Sequence, residues 1–291
     1  MFTKVMFVFL AVFLASPAFG QNCGQGELKK LYSFAVLGMD EAQGGSQVEG
    51  NLQPVPGAEG SYTGDAKVIN GYDFQYRVAN LSDQRCGIDF SFRLGNGEAF
   101  WFLNKTEAEN TYRMGRASLF ALLDIIGPWS RFTRTITLAP GASGLKMGWV
   151  EIRQDGNYER MVSVGTIRLY QNGEVVSQFS MRPVEAKLVN YVAVFNAPRD
   201  NQRTGFAVGN PYFEEVRVVI QLLGRNGAEV GRVEKTLGVY GNFSLFVNEL
   251  FQIPPYFEGI LKITGTREVP VTAIDGRVSQ DKFLMSLVGA N

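Results

Sequence analysis

Apolar and polar residues alternate along most of this chain, and the alternation is written twice. Tyr72, Phe74, Tyr76 and Val78 alternate with Asp73, Gln75, Arg77 and Ala79, the period of a strand with one buried face. Ile88, Phe90, Phe92 and Leu94 repeat that period, and Gly95-Asn96-Gly97 follows as a turn whose residues tolerate positive φ. Tyr76-Arg-Val-Ala-Asn80 then returns as Phe206-Ala-Val-Gly-Asn210, 206 − 76 = 130 positions later. At the same offset Ile88, Phe90 and Phe92 fall on Val218, Ile220 and Leu222, and Asn96-Gly97 on Asn226-Gly227. Self-similarity of this kind is the mark of a duplicated module.

A second match fixes where the copies differ. Gly148-Trp-Val-Glu-Ile152 corresponds to Gly259-Ile-Leu-Lys-Ile263, an offset of only 259 − 148 = 111. The first copy therefore holds extra residues, placed between 98 and 131. Within them Tyr112, Leu119, Leu122, Leu123 and Ile126 suit an amphipathic helix over 107–126, closed by Gly127-Pro128. Gly165–Tyr170, Asn172-Gly173 and Val175–Met181 read as a hairpin, and Val189–Phe195 as the strand leading into the second copy. Gly, Gln, Glu and Pro crowd Met39–Thr63, with Gly44-Gly45 and Pro54-Val-Pro56 as breakers, which predicts a loop.

These patterns predict an all-β protein of two tandem β-sandwich modules, the first with a helical insertion. The expected divisions are a leader over 1–20, an N-terminal strand and Gly/Pro-rich loop over 21–66, a first module over 67–197 and a second over 198–291. The leader is a secretory signal peptide by pattern: Lys4, an apolar stretch Val5–Leu14, then Ala18-Phe-Gly20 as a small-x-small cleavage site. A retained anchor is the other reading, but the apolar run is shorter than the roughly 20 residues of a spanning helix. Export places the mature chain in a secreted, periplasmic or cell-surface setting, with no transmembrane segment expected after cleavage.

Composition narrows the chemistry. The chain has 291 residues, 45% of them hydrophobic, with 28 basic and 28 acidic side chains. Removing the leader with its Lys4 leaves the balance near −1, which gives no electrostatic reason to expect nucleic acid as partner. The chain has no histidine, so Ser-His-Asp and Cys-His catalysis and histidine general bases are excluded, and most zinc sites with them. No phosphate-binding glycine loop or calcium loop appears, and neither a cofactor nor a metal is expected. Glu107/Glu109 and Glu214/Glu215 are the paired acids; a carboxylate-only glycoside hydrolase is chemically conceivable, yet their placement reads as solvated charge.

The two cysteines, Cys23 and Cys86, are expected to form a disulfide in an oxidising compartment, one that contributes about 4 kcal/mol in the chain-entropy treatment of a loop that size. A reactive thiol or metal ligand is the alternative, with no third sulfur or histidine to complete a site. For binding, the candidates are Trp101 and Trp129 beside the insertion, where an exposed ring would stack on a glycan or anchor a surface protein. The competing role for both rings is to bury the insertion against the first module.

Thr204-Gly-Phe-Ala-Val-Gly-Asn-Pro211, Asn242-Phe-Ser-Leu-Phe-Val-Asn-Glu-Leu-Phe251, Phe257-Glu-Gly-Ile-Leu-Lys-Ile263 and Pro270-Val271 together resemble a β-sandwich module that recurs in exported proteins of environmental bacteria. The likeness extends over roughly residues 66–288 and is strongest in the second copy. It implies an immunoglobulin-like, secreted or surface-displayed, non-catalytic module of adhesion or scaffold type with no agreed ligand.

Overall fold

The computed structural model describes residues 29–39, 41, 45–94, 101–106, 111–116, 121–154, 160–197, 202–279 and 282–288. The protein is all-β, built from antiparallel sheets. Its first part contains β1 (Lys29–Leu37), β2 (Gln47–Pro54), β3 (Ser61–Asn80), β4 (Cys86–Leu94), β5 (Trp101–Thr106), β6 (Thr111–Arg116), β7 (Ala121–Ile126), β8 (Arg131–Leu138), β9 (Lys146–Gln154), β10 (Met161–Gln171) and β11 (Glu174–Met181). The second contains β12 (Lys187–Ala197), β13 (Gln202–Gly209), β14 (Val216–Gly224), β15 (Glu229–Leu237), β16 (Asn242–Phe246), the short helix α1 (Val247–Leu250), β17 (Phe257–Val269), β18 (Val271–Ser279) and β19 (Lys282–Val288).

Strand pairing repeats between the two parts. The order β1-β9-β4-β7 matches β12-β17-β14-β15, and β11-β10-β3-β8 matches β19-β18-β13-β16. Register agrees residue by residue: Cys86 pairs with Ile126 as Val216 pairs with Leu237, and Phe92 with Val150 as Leu222 with Leu261. In the first part the inward residues of a four-stranded and a seven-stranded sheet meet in one core; in the second the core is formed by one eight-stranded sheet, continuous through the β12–β13 pairing. Tyr76, Ile88, Phe90, Val150 and Ile152 are buried in the first, and Phe206, Val218, Ile220, Leu261 and Ile263 take their places in the second. Burying each such side chain contributes about 1.5–3 kcal/mol, so alternation fixes the face each strand turns inward.

The additions lie on the first part. β3 runs 20 residues: its second half belongs to the core, while its first half pairs with β2 and β6. Gly64 at φ 125 and Gly71 at φ 118 let the strand bend, and a Cβ on Gly64 would collide with the Asn51 carbonyl. Leu103, Tyr112 and Ala139 form a small separate core under this extension, with Leu52, Tyr62, Ala66 and Met114 against it.

Two expectations are corrected. The helix read over 107–126 is absent from the described part of that segment, which forms β6 and β7. Tyr112 is buried and Arg113 exposed, a period of two, and the free edges of β5 and β4 supply backbone partners that a helix would have left unpaired. The loop read over 39–63 contains β2, and β3 begins at its end; pairing along β3 overrides a composition poor in strand formers. β12, which ends at Ala197, pairs with β17 over nine positions and with β13 at Asn196 and Ala197, so it hydrogen-bonds with strands of the second part. Among the described residues α1, four residues long, is the only α-helix, and no helix is long and apolar enough to cross a membrane. The leader, Cys23, Gly95-Asn96-Gly97 and Glu107/Glu109 lie outside the described residues.

Candidate functional site

Asn80 ends β3 and Asn210 directly follows the equivalent β13, and each side chain organises a corner. The Asn80 amide donates to the carbonyls of Gln84 (2.7 Å), Gly127 (2.9 Å) and Ile126 (3.2 Å), while its Oδ1 accepts from the Ser82 backbone N–H (3.0 Å) and hydroxyl (2.7 Å). Asn210 donates to Glu214 (2.6 Å), Gly238 (2.7 Å) and Leu237 (3.4 Å) and accepts from the Tyr212 N–H (2.9 Å). Every partner of Asn210 sits at one of the two offsets from a partner of Asn80. Both asparagines are buried, at 0% and 3% exposure, so they supply partners to backbone groups that have lost water.

The turn held by each asparagine presents an aromatic residue in the left-handed backbone region. Trp129 has φ 50 and Tyr240 has φ 52, a conformation costing about 1–2 kcal/mol for a side chain bearing Cβ. The Trp129 N–H donates to the Ser82 carbonyl at 3.1 Å, and the Tyr240 N–H to the Tyr212 carbonyl at 3.2 Å. Their surroundings differ. Tyr240 stacks edge-on with Phe213 at 5.8 Å and lines a narrow cleft between the two parts. Trp129 is 69% exposed, and Leu81 (46%) and Ile125 (71%) project from the same corner. Trp101 opens β5 opposite Arg116, so it lies on the extension whereas Trp129 lies on the corner.

The cleft marks the junction between the parts. Trp149 on β9 packs edge-on against Phe34 of β1 at 5.7 Å, and both rings are buried although they face away from the core of their own sheets. What covers Trp149 is β13: a Cβ on Gly209 would come within 2.5 Å of the Trp149 Nε1, and Ala207 is buried with the first core. Asn242 donates to the Met147 carbonyl at 3.5 Å beside it. In the first part Ala207 and Gly209 are replaced by Arg77 and Ala79, so the seat for Trp149 exists only on the second.

Other candidates are placed as follows. Cys86 is fully buried, its sulfur 3.5 Å from the Ser82 hydroxyl oxygen, at the position Val216 holds in the second core. Glu214 forms an exposed ion pair with Arg267. The corner residues were legible only in part: the repeat ends on Asn80 and Asn210, but their partners appear only when the 130 and 111 offsets are combined. Comparison with protein-family models, curated proteins and solved structures finds no match.

Proposed function

We propose that this chain is an exported, non-catalytic protein of two tandem immunoglobulin-like sandwiches, acting as an adhesion or scaffold component through the corner around Trp129. The observation that carries the reading is a large ring kept in solvent on a backbone position that disfavours it. Among the described residues no ring contact or side-chain hydrogen bond uses that indole, so its cost is offset by a contact made outside the chain. Leu81 and Ile125 beside it favour a protein face over a glycan, because sugar sites combine a ring with hydrogen-bonding side chains. Loops fixed by a rigid sandwich are also where binding residues are commonly placed.

The export reading rests on the leader pattern, and with it a Cys23–Cys86 bridge that non-reducing peptide mapping would find as one linked pair. Binding is tested by pull-down and glycan-array screening of the mature protein. A partner recovered by the parent should bind at least tenfold more weakly to Trp129→Ala, with the unfolding midpoint unchanged. Binding unaffected by that substitution contradicts the proposal.

A further inference from the structure

The junction inside the chain joins two different faces, and each face has a counterpart that is exposed. On the sheet side the junction uses Tyr32, Trp149 and Glu151; register places Tyr191, Ile260 and Lys262 at the same positions of the second part. On the corner side it uses Pro211, Tyr240 and Pro270; their counterparts in the first part are Leu81, Trp129 and Val162. Tyr191 (46%), Ile260 (43%) and Phe195 (40%) are exposed on the one face, and Trp129 (69%), Leu81 (46%) and Val162 (45%) on the other. Apolar residues thus remain in solvent at the very positions that the internal junction buries.

We propose that these two faces meet between copies of this chain: the β12–β17 face of one copy seats on the Trp129 corner of the next. The inference rests on the reading of Trp129 as a contact residue and names its partner. The substitutions are mutually compensating. Inside the chain Trp149 fills the space above Gly209 and Ala207; between copies the smaller Ile260 would face the larger Ala79 and Arg77. Where Asn242 meets Met147 inside the chain, Arg131 would meet Glu258, an opposite-charge pair. Lys262, in the place of Glu151, would approach the face of the Trp129 ring, as favours a cation. Glu258 already pairs with Arg225 across the exposed surface, which leaves it room to accept a second guanidinium. Because the two faces differ, the contact is head-to-tail and extends a row of copies rather than closing a two-fold dimer; the further internal contact, between the equivalent strands β11 and β19, is already made within the chain and has no counterpart between copies.

The test is sedimentation velocity of the full mature chain over a range of concentrations, with electron microscopy of the concentrated sample. The parent should form a concentration-dependent series that passes beyond the dimer, and Ile260→Arg should remain monomeric under the same conditions. Arg131→Glu and Glu258→Arg should each weaken association at least tenfold, and the double variant should recover most of it. A parent that stays monomeric, association that stops at a dimer, or a double variant no better than the singles overturns the proposal. If the parent is monomeric but a different protein is captured and lost in Trp129→Ala, this inference fails while the proposed binding role stands.

Discussion

The corner at Asn80 and the corner at Asn210 are one structure in two settings. Their hydrogen bonds, backbone angles and positions on the strands agree. They differ in what lies over the aromatic residue: Tyr240 lines the junction with the first part, whereas Trp129 projects into solvent. A buried asparagine is therefore explained by the fold alone, and an exposed tryptophan is not. Shared geometry identifies what the module needs, and the departures from it are where the proposed contact is placed.

The largest expected effect comes from removing what the corners share. Asn80→Ala and Asn210→Ala each remove three hydrogen bonds from a buried amide, one of them to the carbonyl of a buried residue, Ile126 or Leu237, and each should cost about 3–5 kcal/mol of stability, read from urea unfolding. Equal losses would support a common role; a near-neutral result at either position would break the equivalence.

A charged pair found only in the first part gives the next largest effect. Arg168 donates to both oxygens of Asp73, at 2.8 and 2.6 Å, and burial raises the Asp73 carboxyl above its ordinary range while Arg168 opposes the shift. Arg168→Met should cost about 3 kcal/mol at neutral pH by leaving a buried carboxylate unpaired. Because the folded-state pKa then lies above the unfolded one, protonation favours the folded form. The deficit should shrink as pH falls through the folded value toward the usual carboxylate range, and a deficit that grows in acid would contradict the assignment.

The junction is expected to respond less. Gly209→Ala places a methyl against the Trp149 indole and should cost about 1–3 kcal/mol. Ala79, its counterpart in the first part, already carries that methyl without strain, so Ala79→Gly should change stability by no more than about 1 kcal/mol. Comparable penalties at both positions would show that Trp149 is not seated on Gly209.

How far these features could be read from the sequence follows from the range of the interactions involved. Alternation over Tyr72–Val78 and Ile88–Phe92 identified strands, because burial on one face is a local pattern. The region 107–126 misled because Tyr112, Leu119, Leu122 and Ile126 satisfy helical spacing, while the choice between helix and strand was made by the free edges of β4 and β5. β2 escaped notice because it is mostly exposed and so carries little alternation. Trp129 was visible as a candidate from its place beside the insertion. Its backbone angle, and the seating of Trp149 on Gly209, depend on residues tens of positions away.

The central claim is that the Trp129 ring serves a contact outside the chain whereas the Tyr240 ring serves the fold, and unfolding Trp129→Gly and Tyr240→Gly side by side in urea tests it directly. Glycine relieves the same left-handed backbone cost at both positions. Trp129→Gly should therefore equal the parent or exceed it by up to about 1 kcal/mol, while Tyr240→Gly should lose about 1 kcal/mol because the lost packing outweighs the relief. A Trp129→Gly protein destabilised as much as Tyr240→Gly would contradict the account, since the tryptophan would then be part of the fold.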